Sequence, residues 1–61
     1  MILKTFKDSE RKEILLKVRY WKEGNEFWFD IWENDKPLSP TVCLKKSQVK
    51  RLIKFLERVE G

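Results

Sequence analysis

Three tryptophans and two cations share one parity of two consecutive segments that alternate like β-strands. The alternate positions of the two segments are, in order, Lys17, Arg19, Trp21, Trp28, Asp30 and Trp32. Successive side chains of a strand point to opposite faces, so these residues are predicted to lie on one face of a sheet. Flat indole rings beside cations can stack nucleobases and neutralise phosphates, which is the chemistry of single-stranded nucleic-acid binding. We expect Asp30 to be structural, paired with Lys17 or Arg19 across the strands, because an unpaired carboxylate there would repel phosphate.

The opposite parity of the same two segments is apolar. It comprises Ile14, Leu16, Val18, Tyr20, Phe27, Phe29 and Ile31. This pattern predicts a sheet face that is buried under another element. Between the two segments, Gly24 and Asn25 can adopt a positive φ, which predicts a hairpin turn at residues 22–25.

The remaining elements follow from periodicity and from turn residues. Strands are predicted at 2–6, 13–21, 26–33 and 41–45, with a loop or frayed edge at 34–40, where two prolines cannot donate to a ladder. A helix is predicted to start at a Ser47 cap and to stop at Gly61. The fold class is therefore α+β: a curved four-stranded antiparallel sheet followed by one C-terminal helix.

The helix carries an apolar stripe that is wider than a small sheet requires. Its members are Val49, Leu52, Ile53, Phe55, Leu56 and Val59. Such a stripe predicts that the helix covers the sheet and also packs against a second copy of the chain. These six residues are the predicted interface of a homodimer, although pairing at a sheet edge is an alternative.

Length and composition limit the possible classes of protein. The chain has 61 residues, one cysteine and no histidine, so we expect a single domain over residues 1–61 with no disulfide, metal site or cofactor. A core this small needs additional stabilisation. Without a disulfide or a metal, the remaining source is association with another chain. The net charge of +4 is compatible with polyanion binding. Without a membrane-span or signal-peptide pattern, a cytoplasmic location is expected, nucleoid-associated in a prokaryote. No cluster of catalytic residue types indicates an enzyme.

The order and spacing of several short segments resemble those of the positive-cofactor-four transcriptional coactivators. Residues 18–22, a glycine turn and residues 29–33 resemble the basic and aromatic hairpin of that family and its following Asp-Ile-Arg-Glu. Lys36-Pro37 is followed after four residues by Val42-Cys43-Leu44, which is similar to the family's Lys-Pro and aliphatic-Ser-Leu at the same spacing. Gln48, Val49 and Leu52 match the opening of its helix. The resemblance covers residues 14–59. Pur repeats and Whirly proteins share a related plan of four strands and a helix.

The resemblance implies a helix-mediated dimer whose exposed sheet faces bind single-stranded DNA. By position, it adds Lys22 and Lys36 to the predicted nucleic-acid-binding residues. The full predicted set is Lys17, Arg19, Trp21, Lys22, Trp28, Trp32 and Lys36. Trp32 stands where the family has arginine, which exchanges a phosphate contact for a stacking surface. The expected partner is DNA or RNA in single-stranded form, bound with little sequence preference, with transcription or replication proteins as further partners.

Two other interpretations of the tryptophans remain open. The tryptophan face is also suited to a protein-interaction module, because aromatic residues and arginine are enriched at interaction hot spots. Alternatively, Trp28 and Trp32 are structural, and are buried in a dimer interface or under the amino-terminal strand.

Overall fold

The structure is a computed structural model that describes residues 2–38 and 40–60. Its elements are β1 (Ile2–Lys7), β2 (Ile14–Trp21), β3 (Glu26–Glu33), β4 (Lys36–Pro37), β5 (Val42–Lys45) and α1 (Lys46–Glu60). All strand pairs are antiparallel, which confirms the predicted α+β class. The predicted helix stop at Gly61 lies outside the described residues.

The strands form one sheet in which β2 and β3 are central. β1 pairs with β2 along its whole length. On the other side, β3 pairs with β5 over residues 26–29 and with the short β4 over residues 32–33. β4 ends at Pro37, and β5 begins at Val42, two residues after Pro40. The predicted loop at 34–40 therefore contains a two-residue edge strand, because Pro37 needs no donor of its own there.

Asparagines rather than glycine adopt the left-handed backbone at the two tight turns. Asn25 has a φ of 51° and Asn34 a φ of 54°, whereas no described glycine has a positive φ. Asparagine tolerates this region better than most residues. Space at Gly24 is limited for a different reason: a Cβ there would lie 2.7 Å from Glu26 Oε1 and 3.3 Å from Trp21 Cε3, so the Glu26 side chain would have to move.

The helix starts two residues earlier than a Ser47 cap would allow, since a cap at Ser47 would place the first helical residue at 48. Because α1 begins at Lys46, Ser47 lies inside the first turn and the predicted cap is wrong. Instead, the side chain of Gln48 reaches back and accepts a hydrogen bond from the Lys45 backbone N–H at 2.9 Å. This contact is half of a capping box, and it satisfies a backbone donor that has no partner within the helix.

The connection between β1 and β2 is held by a carboxylate. Asp8 Oδ2 accepts hydrogen bonds from the backbone N–H groups of Glu10 at 3.0 Å and Arg11 at 2.8 Å. These hydrogen bonds, the one from Arg11 above all, lower the pKa of Asp8 below its usual value. The ionised side chain thereby fixes the turn that leads into β2.

The helix does not cover the apolar face of its own sheet. No apolar side chain is buried among the described residues; the only buried residue there is Asp30. The helix stripe is more exposed towards its carboxyl end: Leu52 is 39% exposed, Ile53 49%, Phe55 60%, Leu56 54% and Val59 72%. The helix touches the sheet only at β5 and β3 and then leaves it. The expectation that α1 covers the sheet within one chain is therefore wrong.

Size measurements show the same open arrangement. The radius of gyration is 12.8 Å, compared with about 10.5 Å for a compact chain of this length. The accessible surface is 5422 Å², whereas a compact monomer of this mass exposes about 4,250 Å². The single chain thus exposes roughly 1,200 Å² more than a compact monomer would.

Within the described part of the chain, α1 is too short and too polar to cross a membrane.

Candidate nucleic-acid interface

The pairing of β2 with β3 places the predicted residues on one face of the sheet. Arg19 lies opposite Trp28, Lys17 opposite Asp30, and Trp21 opposite Glu26. Residues opposite each other in an antiparallel pair project to the same side. We call this the tryptophan face, and we define it by Lys17, Arg19, Trp21, Trp28, Asp30 and Trp32.

The amino-terminal strand does not cover the tryptophan face. β1 extends the sheet beside β2, with Leu3 opposite Arg19 and Thr5 opposite Lys17. The interpretation in which the tryptophans are buried under this strand is therefore wrong. Among the described strands, the helix comes near only β5 and β3, and Trp21 remains exposed.

An ion pair lies at the centre of the tryptophan face. Arg19 Nη2 donates a hydrogen bond to Asp30 Oδ2 at 2.7 Å, and the Asp30 side chain is only 6% exposed. The predicted pairing of Asp30 across the strands is confirmed, with the diagonal Arg19 as partner instead of the directly opposite Lys17. The charge of Asp30 is compensated locally, so it does not stand alone on a surface that is otherwise basic.

Both cations also contact indole rings. Lys17 Nζ lies 3.8 Å from the ring centroid of Trp32, and Arg19 Cζ lies 5.0 Å from that of Trp28. Both distances are within the range of cation–π attraction, which holds long basic side chains against an aromatic surface. Each of these two indole rings therefore has a positively charged side chain next to it on the face.

Trp21 and Trp28 form an edge-to-face pair. Their ring centroids are 5.7 Å apart and their planes are inclined by 65°. This arrangement is favoured by the charge distribution of aromatic rings. Trp21 remains 39% exposed, whereas Trp28 and Trp32 are half-buried. The rings are thus braced against one another and still open to solvent on one side.

Three buried polar atoms of this face have no hydrogen-bond partner in the described part of the chain. They are Arg19 Nε, Asp30 Oδ1 and Trp32 Nε1. Such groups in a folded protein are normally satisfied by protein or water. Two donors and one acceptor are therefore left as unused hydrogen-bonding capacity within one small layer.

The two cations assigned by resemblance lie away from the centre of the face. Lys22 is exposed in the turn after β2. Lys36 lies opposite Glu33 in the ladder, and this register directs it to the other side of the sheet from Trp32. The structure therefore brings together five of the seven predicted residues and separates Lys36 from them.

Residues of β5 also lie on this side of the sheet, and they are not among the predicted site residues. Cys43 lies opposite Trp28 and Lys45 opposite Glu26. A shallow cavity of about 350 Å³ is bounded by Arg19, Glu26, Trp28, Thr41 and Cys43. The sequence contains a signal for this placement. Val42 and Leu44 alternate with Thr41, Cys43 and Lys45, and this alternation predicts that the latter three share one face.

The thiol in this cavity is not activated. Cys43 Sγ donates a hydrogen bond to Glu26 Oε2 at 2.8 Å. This hydrogen bond, together with burial, raises the pKa of the thiol. A raised pKa favours the protonated and weakly nucleophilic form. Cys43 therefore contributes shape and polarity to the cavity wall.

Comparison of the chain with protein-family models, curated proteins and solved structures yielded no match.

Proposed function

We propose that this protein binds single-stranded nucleic acid on the tryptophan face, with little sequence preference. The observation that carries the proposal is the pairing of cations with indole rings on one side of the sheet: Lys17 with Trp32, and Arg19 with Trp28. Bases of any sequence can stack on an indole, and Lys17 beside Trp32 can neutralise an adjoining phosphate. The charge of Arg19, in contrast, is compensated by Asp30. Single-stranded DNA is the expected ligand, because the resemblance to the positive-cofactor-four coactivators points to it.

The spacing of the rings supports binding of several bases. Trp28 and Trp32 are four residues apart on β3, which corresponds to about 13 Å along an extended strand. Trp21 adds a third ring next to Trp28. Separate bases can therefore stack at separate points along the face.

A titration of a fluorescent single-stranded oligonucleotide tests the proposal, with the matching duplex as control. Tryptophan fluorescence should be quenched on binding, and the affinity for the single strand should exceed that for the duplex. Affinity should also fall with salt, because each neutralised phosphate of a single strand contributes about −0.7 to the slope of log K against log salt. Absence of binding at low salt would show that the proposal is wrong.

Lys17→Gln should reduce that salt slope by about 0.7, because one phosphate contact is lost. The ring of Trp32 would remain, so quenching should persist at saturation. Lys12→Gln is the matched control: Lys12 is exposed in the connection between β1 and β2 and is not one of the residues that define the tryptophan face. Equal slopes for the two variants would rule out Lys17 as a phosphate contact.

A protein-interaction module is the second candidate, because Trp21 and its neighbours form an exposed aromatic surface. Tryptophan and arginine dominate many protein-protein hot spots. The salt dependence separates the two candidates: binding through an apolar contact with a protein responds little to salt, whereas phosphate binding responds steeply.

We also propose that the working form is a homodimer. The roughly 1,200 Å² of excess surface per chain, doubled, falls in the range of obligate homodimers. Most of the uncovered apolar side chains lie on the helix and on the sheet face that carries Leu16 and Ile31. Leu3 and Trp21 are instead exposed on the tryptophan face. The face that carries Leu16 and Ile31 is opposite the tryptophans, which disfavours an interface built from Trp28 and Trp32. Action on single strands in transcription or replication, in the cytoplasm or nucleoid, fits this assignment.

A further inference from the structure

Two separate apolar surfaces of this chain lack a covering element. The first is the sheet face opposite the tryptophans, where Phe6 is 49% exposed and Ile31 is 44% exposed. The second is the stripe on α1, where Phe55 is 60% exposed. A small domain is stable only if it buries such surfaces. Each surface therefore needs an apolar partner. Because both surfaces are apolar, each can cover the other.

The connection to the helix prevents one chain from covering both surfaces itself. β5 ends at Lys45 and α1 begins at Lys46, so no loop residue allows the helix to turn back over the sheet. The start of the helix is tied to the hairpin by a hydrogen bond from the Lys46 N–H to the Asn25 carbonyl oxygen at 3.1 Å. From this anchor the helix diverges, as the greater exposure of its stripe towards the carboxyl end shows.

The dimensions of helix and sheet match. α1 has 15 residues, which makes it about 22 Å long. β2 has eight residues, a length of about 26 Å. The apolar sheet face also contains a recess of about 420 Å³ bounded in part by Phe6, Leu16 and Ile31. An inserted side chain would gain contacts on several sides there.

We propose that in the homodimer each helix lies on the apolar sheet face of the other copy. The exchange is reciprocal, as a two-fold axis requires, because the same two surfaces of each chain meet. It covers both exposed surfaces with one partner and removes the excess area of both chains. This inference rests on the proposed homodimer and specifies its contacts.

A dimer joined by its helices alone would leave the apolar sheet face of each chain exposed. Helix-to-helix packing covers part of the stripe, but it leaves Phe6, Leu16 and Ile31 exposed on both sheets. The exchanged arrangement also directs the two tryptophan faces outward on opposite sides. One dimer then offers two binding surfaces, neither of which is consumed by the interface.

Isotope-filtered NMR on the unmodified protein tests the exchange. The sample is a 1:1 mixture of labelled and unlabelled chains, refolded together so that half of the dimers are mixed. Native mass spectrometry of the same sample should first give about 15 kDa, twice the 7.5 kDa of one chain. Intermolecular NOEs are then expected from the methyl groups of Ile53, Leu56 and Val59. Their partners should be Leu16, Phe29 and Ile31 of the other chain.

The possible outcomes separate the proposals. Intermolecular helix-to-sheet NOEs support the exchange. Intermolecular NOEs between helices without helix-to-sheet NOEs would overturn the exchange and leave the homodimer standing. A mass of one chain at NMR concentrations would overturn both. The measurement contains no nucleic acid, so the proposed binding function is tested independently of it.

Discussion

Replacement of Trp21 and Trp32 by alanine should weaken the binding of single-stranded oligonucleotides by at least about 30-fold. A stacked base is worth about 1–3 kcal/mol in alanine substitutions, so two lost platforms cost about 2–6 kcal/mol if they act independently. Trp21 is the most open of the three rings, and Trp32 carries Lys17 on its ring. The double variant thus removes one ring from each end of the face. The measurement is the same oligonucleotide titration at fixed salt.

The matched control is the double replacement of Trp21 and Trp32 by phenylalanine. Phenylalanine keeps a flat π-surface, so most of the affinity should remain. Circular dichroism at the titration temperature checks that both variants keep the fold. Alanine and parent proteins of equal affinity would contradict base stacking on these rings.

Asp30→Asn should have opposite effects on stability and on binding. Asp30 is 5% exposed and its carboxylate lies 2.7 Å from Arg19 Nη2. Removing one partner of a buried ion pair costs about 3–5 kcal/mol, and the partly exposed Arg19 places this pair near the lower limit. The released guanidinium adds a cation to the tryptophan face, so affinity for single strands should rise and the salt slope should steepen by about 0.7.

Urea unfolding at one fixed protein concentration measures the first effect, and the oligonucleotide titration measures the second. Glu13→Gln is the matched control, because Glu13 pairs with Arg11 at 3.0 Å on the exposed surface. Exposed pairs contribute little, so that variant should unfold close to the parent. If Asp30→Asn instead lowers the affinity for nucleic acid, the prediction is wrong. Asp30 would then position Arg19 for contact with a phosphate, and would not prevent that contact.

Period-two alternation predicted the centre of this fold because one sheet face is polar and the other apolar. The strand at 26–33 matches β3, and the strand at 13–21 differs from β2 by one residue. The same alternation predicted which residues share the tryptophan face. What it cannot predict is which cation meets which ring, because Lys17 and Arg19 reach their partners through side-chain torsions that the backbone pattern does not specify.

The errors occur where a tertiary arrangement overrides a local signal. Ser47 is a good cap residue, but the hydrogen bond from the Lys46 N–H to the Asn25 carbonyl starts the helix earlier. The stripe on α1 predicts burial without saying against which surface. Its separation from its own sheet depends on the direct junction of β5 with α1, and junction geometry is invisible to hydrophobic periodicity.

The absence of buried apolar side chains from the described part of a single chain has a consequence for protein abundance. If a chain acquires its interior only when it meets a second copy, folding and association become a single bimolecular event. The folded fraction then depends on how much protein is present: dilution unfolds it, and its melting temperature rises with concentration. A cell would obtain working molecules only above a threshold level of synthesis, and chains made below that level would be open to proteolysis.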